Sequence, residues 1–174
     1  MFLHTQRLSR RGVAALLSAG VLGLAGAGAA WSATAATAAS LRTCAVSDLY
    51  VSMGRKEGAA GSVYWPIRFT NTSTTGCSLR GYPGVSALDT AHRQIGPAAT
   101  RTGQPYSTVT LTPAHSVSAV IRTSNGPIGG PCLRTGSYLR IYPPASHAAV
   151  LVPASWTICS GIFQVGPVNT GGTF

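Results

Sequence analysis

Apolar side chains recur at every second position through much of the chain after residue 40, and no stretch there repeats them at helical spacing. Leu49, Val51 and Met53 alternate with Asp48, Tyr50 and Ser52, while Val63, Trp65, Ile67 and Phe69 alternate with Tyr64, Pro66, Arg68 and Thr70. The spacing returns in Val109 and Leu111, in Val117, Ala119 and Ile121, in Leu139 and Ile141, and in Phe163 and Val165. Successive side chains of a strand point to opposite faces, so each series reads as a strand with one face in a core and the other in water. About eight short strands follow, at 47–53, 63–70, 85–88, 107–111, 116–122, 137–142, 148–152 and 162–166, divided by Gly, Pro, Ser and Thr turns. The expected fold is an all-β, antiparallel two-sheet sandwich. Pro66 has no ladder donor, which puts its strand at an edge or a bulge at that position. The segments Ser124–Pro131 and Asp89–Pro105 read as loops across the ends of the sandwich, and Asn169–Thr173 as a frayed tail.

Four widely spaced cysteines, Cys44, Cys77, Cys132 and Cys159, permit three disulfide connectivities. Residues facing each other across an antiparallel hairpin share a constant index sum, which separates them. Cys44 and Cys77 have an index sum of 121, centring a hairpin at residues 60 and 61, inside Gly58-Ala59-Ala60-Gly61. Cys132 and Cys159 have an index sum of 291, centring another near Ala145, just after Tyr142-Pro143-Pro144. Both centres fall on turn chemistry. The expected bridges are therefore Cys44–Cys77 and Cys132–Cys159, each closing the open end of a hairpin and each worth roughly 2–4 kcal/mol. A zinc site is the competing use of cysteine, but no C-x-x-C pair occurs and no histidine lies within five residues of a cysteine.

Disulfides belong to oxidising compartments, and the N-terminus agrees. Arg7, Arg10 and Arg11 precede the run Val13–Ala30 of Ala, Leu, Val and Gly, the pattern of a signal peptide over 1–38 with cleavage after Ala35 or Ala38. An uncleaved anchor is the alternative, and Ser9-Arg10-Arg11-Gly12-Val13 half matches a twin-arginine signal. Residues 41–174 remain as a single domain, secreted or extracellular and open to association with the cell envelope, with nothing apolar enough to span a bilayer. Loss of the three signal arginines takes the net charge from +10 to +7. Such a protein is drawn to anionic polymers and lipid head groups. Its charges are spread singly, with only Arg55-Lys56 adjacent, so neither a nucleic-acid tract nor a polybasic membrane motif is present.

The chain resembles the secreted actinobacterial proteins grouped as domain of unknown function 4232. The resemblance rests above all on Cys77-Ser78-Leu79-Arg80-Gly81-Tyr82-Pro83-Gly84-Val85, and on Phe69-Thr70-Asn71-Thr72, Val109-Thr110-Leu111-Thr112-Pro113, Leu139-Arg140-Ile141-Tyr142-Pro143-Pro144 and the late Cys159. It covers residues 44 to about 167 and implies an immunoglobulin-like sandwich, exported or lipid-anchored, with no established activity. Where the family usually shows Pro-Gly before the fifth strand, this chain reads Pro113-Ala114-His115.

Catalysis finds little material. The mature chain offers the carboxylates Asp48, Glu57 and Asp89 and the imidazoles His92, His115 and His147, without a Gly-x-Ser-x-Gly elbow or a His-x-His pair. Asp89, His92 and Ser86 are the one grouping from which a hydrolase could be assembled; a polar turn is the simpler reading. Met53, alone among mature methionines, argues against thioether copper binding. We expect no enzyme, no metal and no cofactor. If Leu139 and Ile141 point inward, Tyr138, Arg140 and Tyr142 line an outer face; the same parity puts Tyr64, Arg68 and Arg122 outside on other strands. Arginine with tyrosine suits phosphate, carboxylate or sugar, although such pairs are also common on solvated sheets. Gly81-Tyr82-Pro83-Gly84 reads as a tight turn with Tyr82 packed or bonded locally, and the sequon Asn71-Thr72-Ser73 as a surface strand end. The expected function is a non-enzymatic binding module for an anionic wall polymer or an extracellular protein, its oligomeric state left open. The alternatives are a protease inhibitor presenting Ser124–Pro131 and, further off, a secreted hydrolase.

Overall fold

Residues 40–173 are described by a computed structural model; the expected signal peptide over 1–38 lies outside the described residues. The strands are β1 (Leu49–Met53), β2 (Glu57–Ala59), β3 (Ser62–Asn71), β4 (Cys77–Arg80), β5 (Gly84–Leu88), β6 (Thr100–Arg101), β7 (Thr108–Leu111), β8 (Ser116–Ser124), β9 (Gly136–Tyr142), β10 (Val150–Trp156) and β11 (Gln164–Val165). One sheet runs β1-β3-β8-β11-β6 with β2 also on β3, a second runs β10-β9-β5, and β4 pairs with β7. Apart from the parallel pair β11 and β6, the ladders are antiparallel. Ile67, Phe69, Ala119 and Ile121 of the first sheet share one core with Val85, Leu139, Ile141 and Val152 of the second and with Leu79 and Leu111 of the β4/β7 pair. Each of these side chains larger than Ala119 contributes about 1.5–3 kcal/mol by leaving water.

Pro66 explains a register shift. Its carbonyl accepts the Gly54 amide, so its nitrogen faces the same flank, where no donor exists to give. Opposite it the partner strand bulges: Met53 faces Ile67 in β1, yet Glu57 faces Tyr64 in β2. The expectation of an edge or a bulge resolves as a bulge, beside a ten-residue strand flanked on both sides.

Both bridges form as expected, Cys44–Cys77 and Cys132–Cys159. The second follows its derivation: Val150 faces Ile141 and Cys132 faces Cys159 in one register, interrupted only by an irregularity between Pro153 and Trp156. The first differs in its setting. Its hairpin does turn at Ala60 and Gly61, but Cys77 has left that hairpin; it faces Leu111 of β7, and the next residue, Ser78, bridges Thr43 in parallel. This disulfide staples the entering chain to β4 and does not close a hairpin.

Two further expectations are corrected. Asn71 is 0% exposed, with its amide bonded to Thr75, Leu111 and Ser73, so the sequon asparagine is a core group. The tail does not fray: Asn169 exchanges backbone bonds with Ser118, and its side chain holds the Gly172 amide and the Thr173 carbonyl.

The turn that departs from Pro-Gly keeps a glycine-like backbone, because Ala114 sits at φ +63°. That region costs a residue with a Cβ roughly 1–2 kcal/mol, against a smaller entropic loss for glycine. Ala114→Gly is expected to raise stability by about 0.5–1 kcal/mol in urea denaturation, and a loss of stability would show the turn to be held otherwise.

Candidate functional site

The two arginine–tyrosine groups expected on outer faces lie on different sheets. Tyr64 and Arg68 on β3 and Arg122 on β8 alternate with Trp65, Ile67, Phe69 and Ile121, which pack in or against the core. Tyr138, Arg140 and Tyr142 on β9 alternate with the buried Leu139 and Ile141. Since the inner faces of both sheets share one core, these outer faces point apart, and the six residues do not make a single surface.

Arg122 faces Tyr64 and Gln164 in register and donates to Ser62 Oγ at 3.0 Å and to Gln164 Oε1 at 3.1 Å. The C-terminal segment narrows this face, because Gly172 and Thr173 lie with Tyr64 and Pro66 around Val120, which is buried although its parity points outward. Arg68 remains exposed. On the other sheet Arg140 donates to Gln94 Oε1 at 2.8 Å and lies 6.0 Å from the Tyr142 ring, and His92 meets Tyr138 edge-on at 4.9 Å. The Arg122 and Arg140 guanidinium groups are held in place by neutral partners, which leaves their charge uncancelled.

Two of the three carboxylates are taken up by ion pairs and backbone amides. Asp48 pairs with Arg42 and also caps the Ala45 amide, and both contacts hold its pKa below the usual carboxylate range. Asp89 accepts from the Ala91 and Arg93 amides, Arg93 Nε and Arg134, and sits at about 2, the backbone bond from Arg93 being the largest cause. A carboxylate so depressed stabilises the fold above its ordinary range, and that contribution fades as pH falls from about 4 towards 2. Thermal unfolding midpoints are expected to drop over this window, with a shallower slope in Asp89→Asn; equal slopes would deny Asp89 the role.

With its acceptors filled this way, Asp89 does not hold the His92 ring, which packs on Tyr138. Ser86 faces Arg140 across the β5/β9 ladder and is buried, so the three residues are not assembled into a nucleophile, base and orienting acid. His115 Nδ1 contacts Thr112 Oγ1 and the Pro113 carbonyl inside its own turn. Among the described residues no three metal-binding side chains converge, and no helix is long and apolar enough to cross a membrane.

The loop Ser124–Pro131 exposes Ile128 at 63%. It is pinned at its base, where Ser160 donates its amide to Pro131 and its hydroxyl to Gly126 and Gly130. Its tip is folded back, with Ile128 N–H on the Gly126 carbonyl and φ of +97° and +86° at Gly126 and Gly129. A protease reads its substrate as an extended strand, and this tip does not present one.

A convergence absent from the sequence reading involves the signature segment. The Tyr82 ring packs against the core, while its hydroxyl donates to the Gln104 carbonyl, a contact 22 residues away and not a local one. That bond brings Tyr106 beside Arg80, Gly81 and Tyr82. The signal available was only the density of Arg and Tyr around Gly81; the partner residues lie beyond any local window.

Known proteins add a family and little else. The family model described as "Domain of unknown function (DUF4232)" matches residues 44–169. No curated protein matches. Among solved structures, a β-glucosidase from Kluyveromyces marxianus aligns at 10% identity with a TM-score of 0.32, over 68% of this chain and 15% of that one. The chain thus spans a small part of that enzyme's length, and so low a score carries no argument.

Proposed function

The chain belongs to the DUF4232 family of domains of unknown function, and from that footing we propose that it is a non-enzymatic extracellular module that binds an anionic polymer of the cell envelope. The observation that supports this reading is the disposition of charge. Asp48 is neutralised by Arg42, and Asp89 by Arg93 of its own turn and by Arg134 from the segment before β9, while Arg55, Lys56, Arg68, Arg80, Arg101, Arg122 and Arg140 make no ion pair among the described residues. After Asp89 the sequence contains no Asp or Glu at all. A rigid disulfide-bridged sandwich with such a surface attracts polyanions over a Debye length of about 8–10 Å in physiological salt. The two disulfides fit an oxidising compartment.

Chromatography of the protein on immobilised dextran sulfate, with neutral dextran as control, tests the reading. Retention at low ionic strength, release as salt rises, and earlier release of Arg68→Ala/Arg122→Ala/Arg140→Ala with its fold intact are expected. Passage through both columns unretarded would refute it.

A further inference from the structure

Arg80, Tyr106, Tyr82 and Arg101 form a stacked row. The Arg80 guanidinium lies 5.1 Å from the Tyr106 ring, Tyr106 meets Tyr82 edge-on at 5.5 Å, and the Arg101 guanidinium lies 5.8 Å from the Tyr82 ring. Three elements bring them together: β4 supplies Arg80, the turn after it supplies Tyr82, and the strand β6 with the segment following it supplies Arg101 and Tyr106. The row is fixed from below. Gly81, held at φ +98°, runs beneath the Tyr106 ring, and the Tyr82 hydroxyl ties down the Gln104 carbonyl. Tyr106 is nonetheless 44% exposed, and both arginines are exposed.

Tyr106 also stands in the wall of an open groove of about 740 Å³ between β7 and the C-terminal segment. Beyond the ring its walls mix the hydroxyl and amide groups of Gln104, Ser107, Thr108, Thr110 and Asn169 with apolar surface from Val109 and Pro167. No charged side chain lines it, and Arg80 adjoins it through the Tyr106 ring.

We propose that this groove, together with the row beside it, is a binding site for an acidic glycan, a chain of sugars bearing carboxylates, with one sugar ring stacked on Tyr106 and carboxylates of different sugars held by Arg80 at one end of the row and Arg101 at the other. The proposal deepens the polyanion reading above and rests on it. Each part of the ligand has its counterpart: the C–H face of a pyranose lies flat on a rigid exposed ring, hydroxyls meet threonine and amide groups, and a guanidinium matches a carboxylate in a bidentate way. A single-stranded nucleic acid would need successive stacking platforms. Here the second ring, Tyr82, is half-buried and stands edge-on behind the first.

Calorimetric titration of the disulfide-intact protein with a galacturonic acid hexasaccharide, its fully methyl-esterified neutral form and the hexanucleotide of thymidine tests the site. The acidic hexasaccharide is expected to bind at least about tenfold more tightly than the ester and the nucleotide. Arg80→Ala/Arg101→Ala should weaken the acidic ligand by about tenfold or more and leave the ester unchanged. Tyr106→Ala should weaken both, and Tyr106→Phe, which keeps the ring, should bind as the native protein does. Arg55→Ala/Arg68→Ala removes the same charge elsewhere and should change affinity by no more than about twofold. Absence of binding to the acidic hexasaccharide, tighter binding of the nucleotide, or equal loss in the Arg55/Arg68 variant would overturn the site. Retention on dextran sulfate that survives any of these results would keep the general reading and discard the groove. Circular dichroism of each variant separates lost binding from lost fold, and if Tyr106→Ala unfolds, the arginine pair and Tyr106→Phe decide.

Discussion

Asn71→Asp is expected to destabilise the domain by about 3–5 kcal/mol, although it changes one atom of a side chain that the sequence presents as a surface sequon. Asn71 is fully buried; its Nδ2 donates to the Thr75 and Leu111 carbonyls at 2.9 and 3.1 Å, and its Oδ1 accepts from the Ser73 amide and hydroxyl. Aspartate keeps the acceptor and replaces the donor with an oxygen facing two carbonyls. The buried acid must then remain charged without a cation or take up a proton, and either state is costly. The backbone of Asn71 also receives the Ala114 amide and donates to the His115 carbonyl, so the same residue ties the end of β3 to the turn before β8. Urea denaturation at neutral pH reads the effect. A loss under about 1 kcal/mol would mean that the turn at 72–76 can open and rehydrate the group.

Trp156→Ala should cost a similar amount, about 3–5 kcal/mol. Trp156 is 1% exposed, packs tilted against Trp65 at 6.1 Å and Phe163 at 5.9 Å, and so joins β10 to both β3 and the segment before β11. Lys56 closes this aromatic stack from outside: its ammonium lies 4.0 Å from the Trp65 ring and donates to the Ser155 carbonyl, and partial burial lowers its pKa. Removing the middle ring leaves a cavity that two rigid neighbours on different strands cannot collapse into. Trp156→Phe keeps most of the contact and is expected to cost less than about 1.5 kcal/mol. Trp156 Nε1 has no hydrogen-bond partner, so Phe forfeits no bond, and equal losses for Ala and Phe would mean that a smaller ring cannot bridge Trp65 and Phe163.

The order of strands within the chain was largely readable because alternation and turn residues are local signals. The index sum of Cys132 and Cys159 located their hairpin because β9 and β10 stay paired from the turn at Ala145 down to the bridge. The same arithmetic for Cys44 and Cys77 found the turn but not the setting, since after Asn71 the chain crosses to pair β4 with β7, and an index sum is blind to a strand changing partner. The short strands β2, β4 and β6 carry too few alternating positions to stand out. Parity placed Arg68 and Arg140 outside their strands, but the sheet that a strand joins is a property of topology. The row from Arg80 to Arg101 was hidden for that reason: Tyr82 and Tyr106 meet only once the signature turn and the segment after β6 are brought to one end of the molecule.

Binding of an anionic envelope polymer through surface charge, as proposed for this domain, is read by co-sedimentation with isolated cell walls. The protein should pellet with intact walls at low salt, be released at high salt, and stay in solution when the walls have first been stripped of their anionic polymers. Equal pelleting with stripped and intact walls, or none with either, would contradict the account.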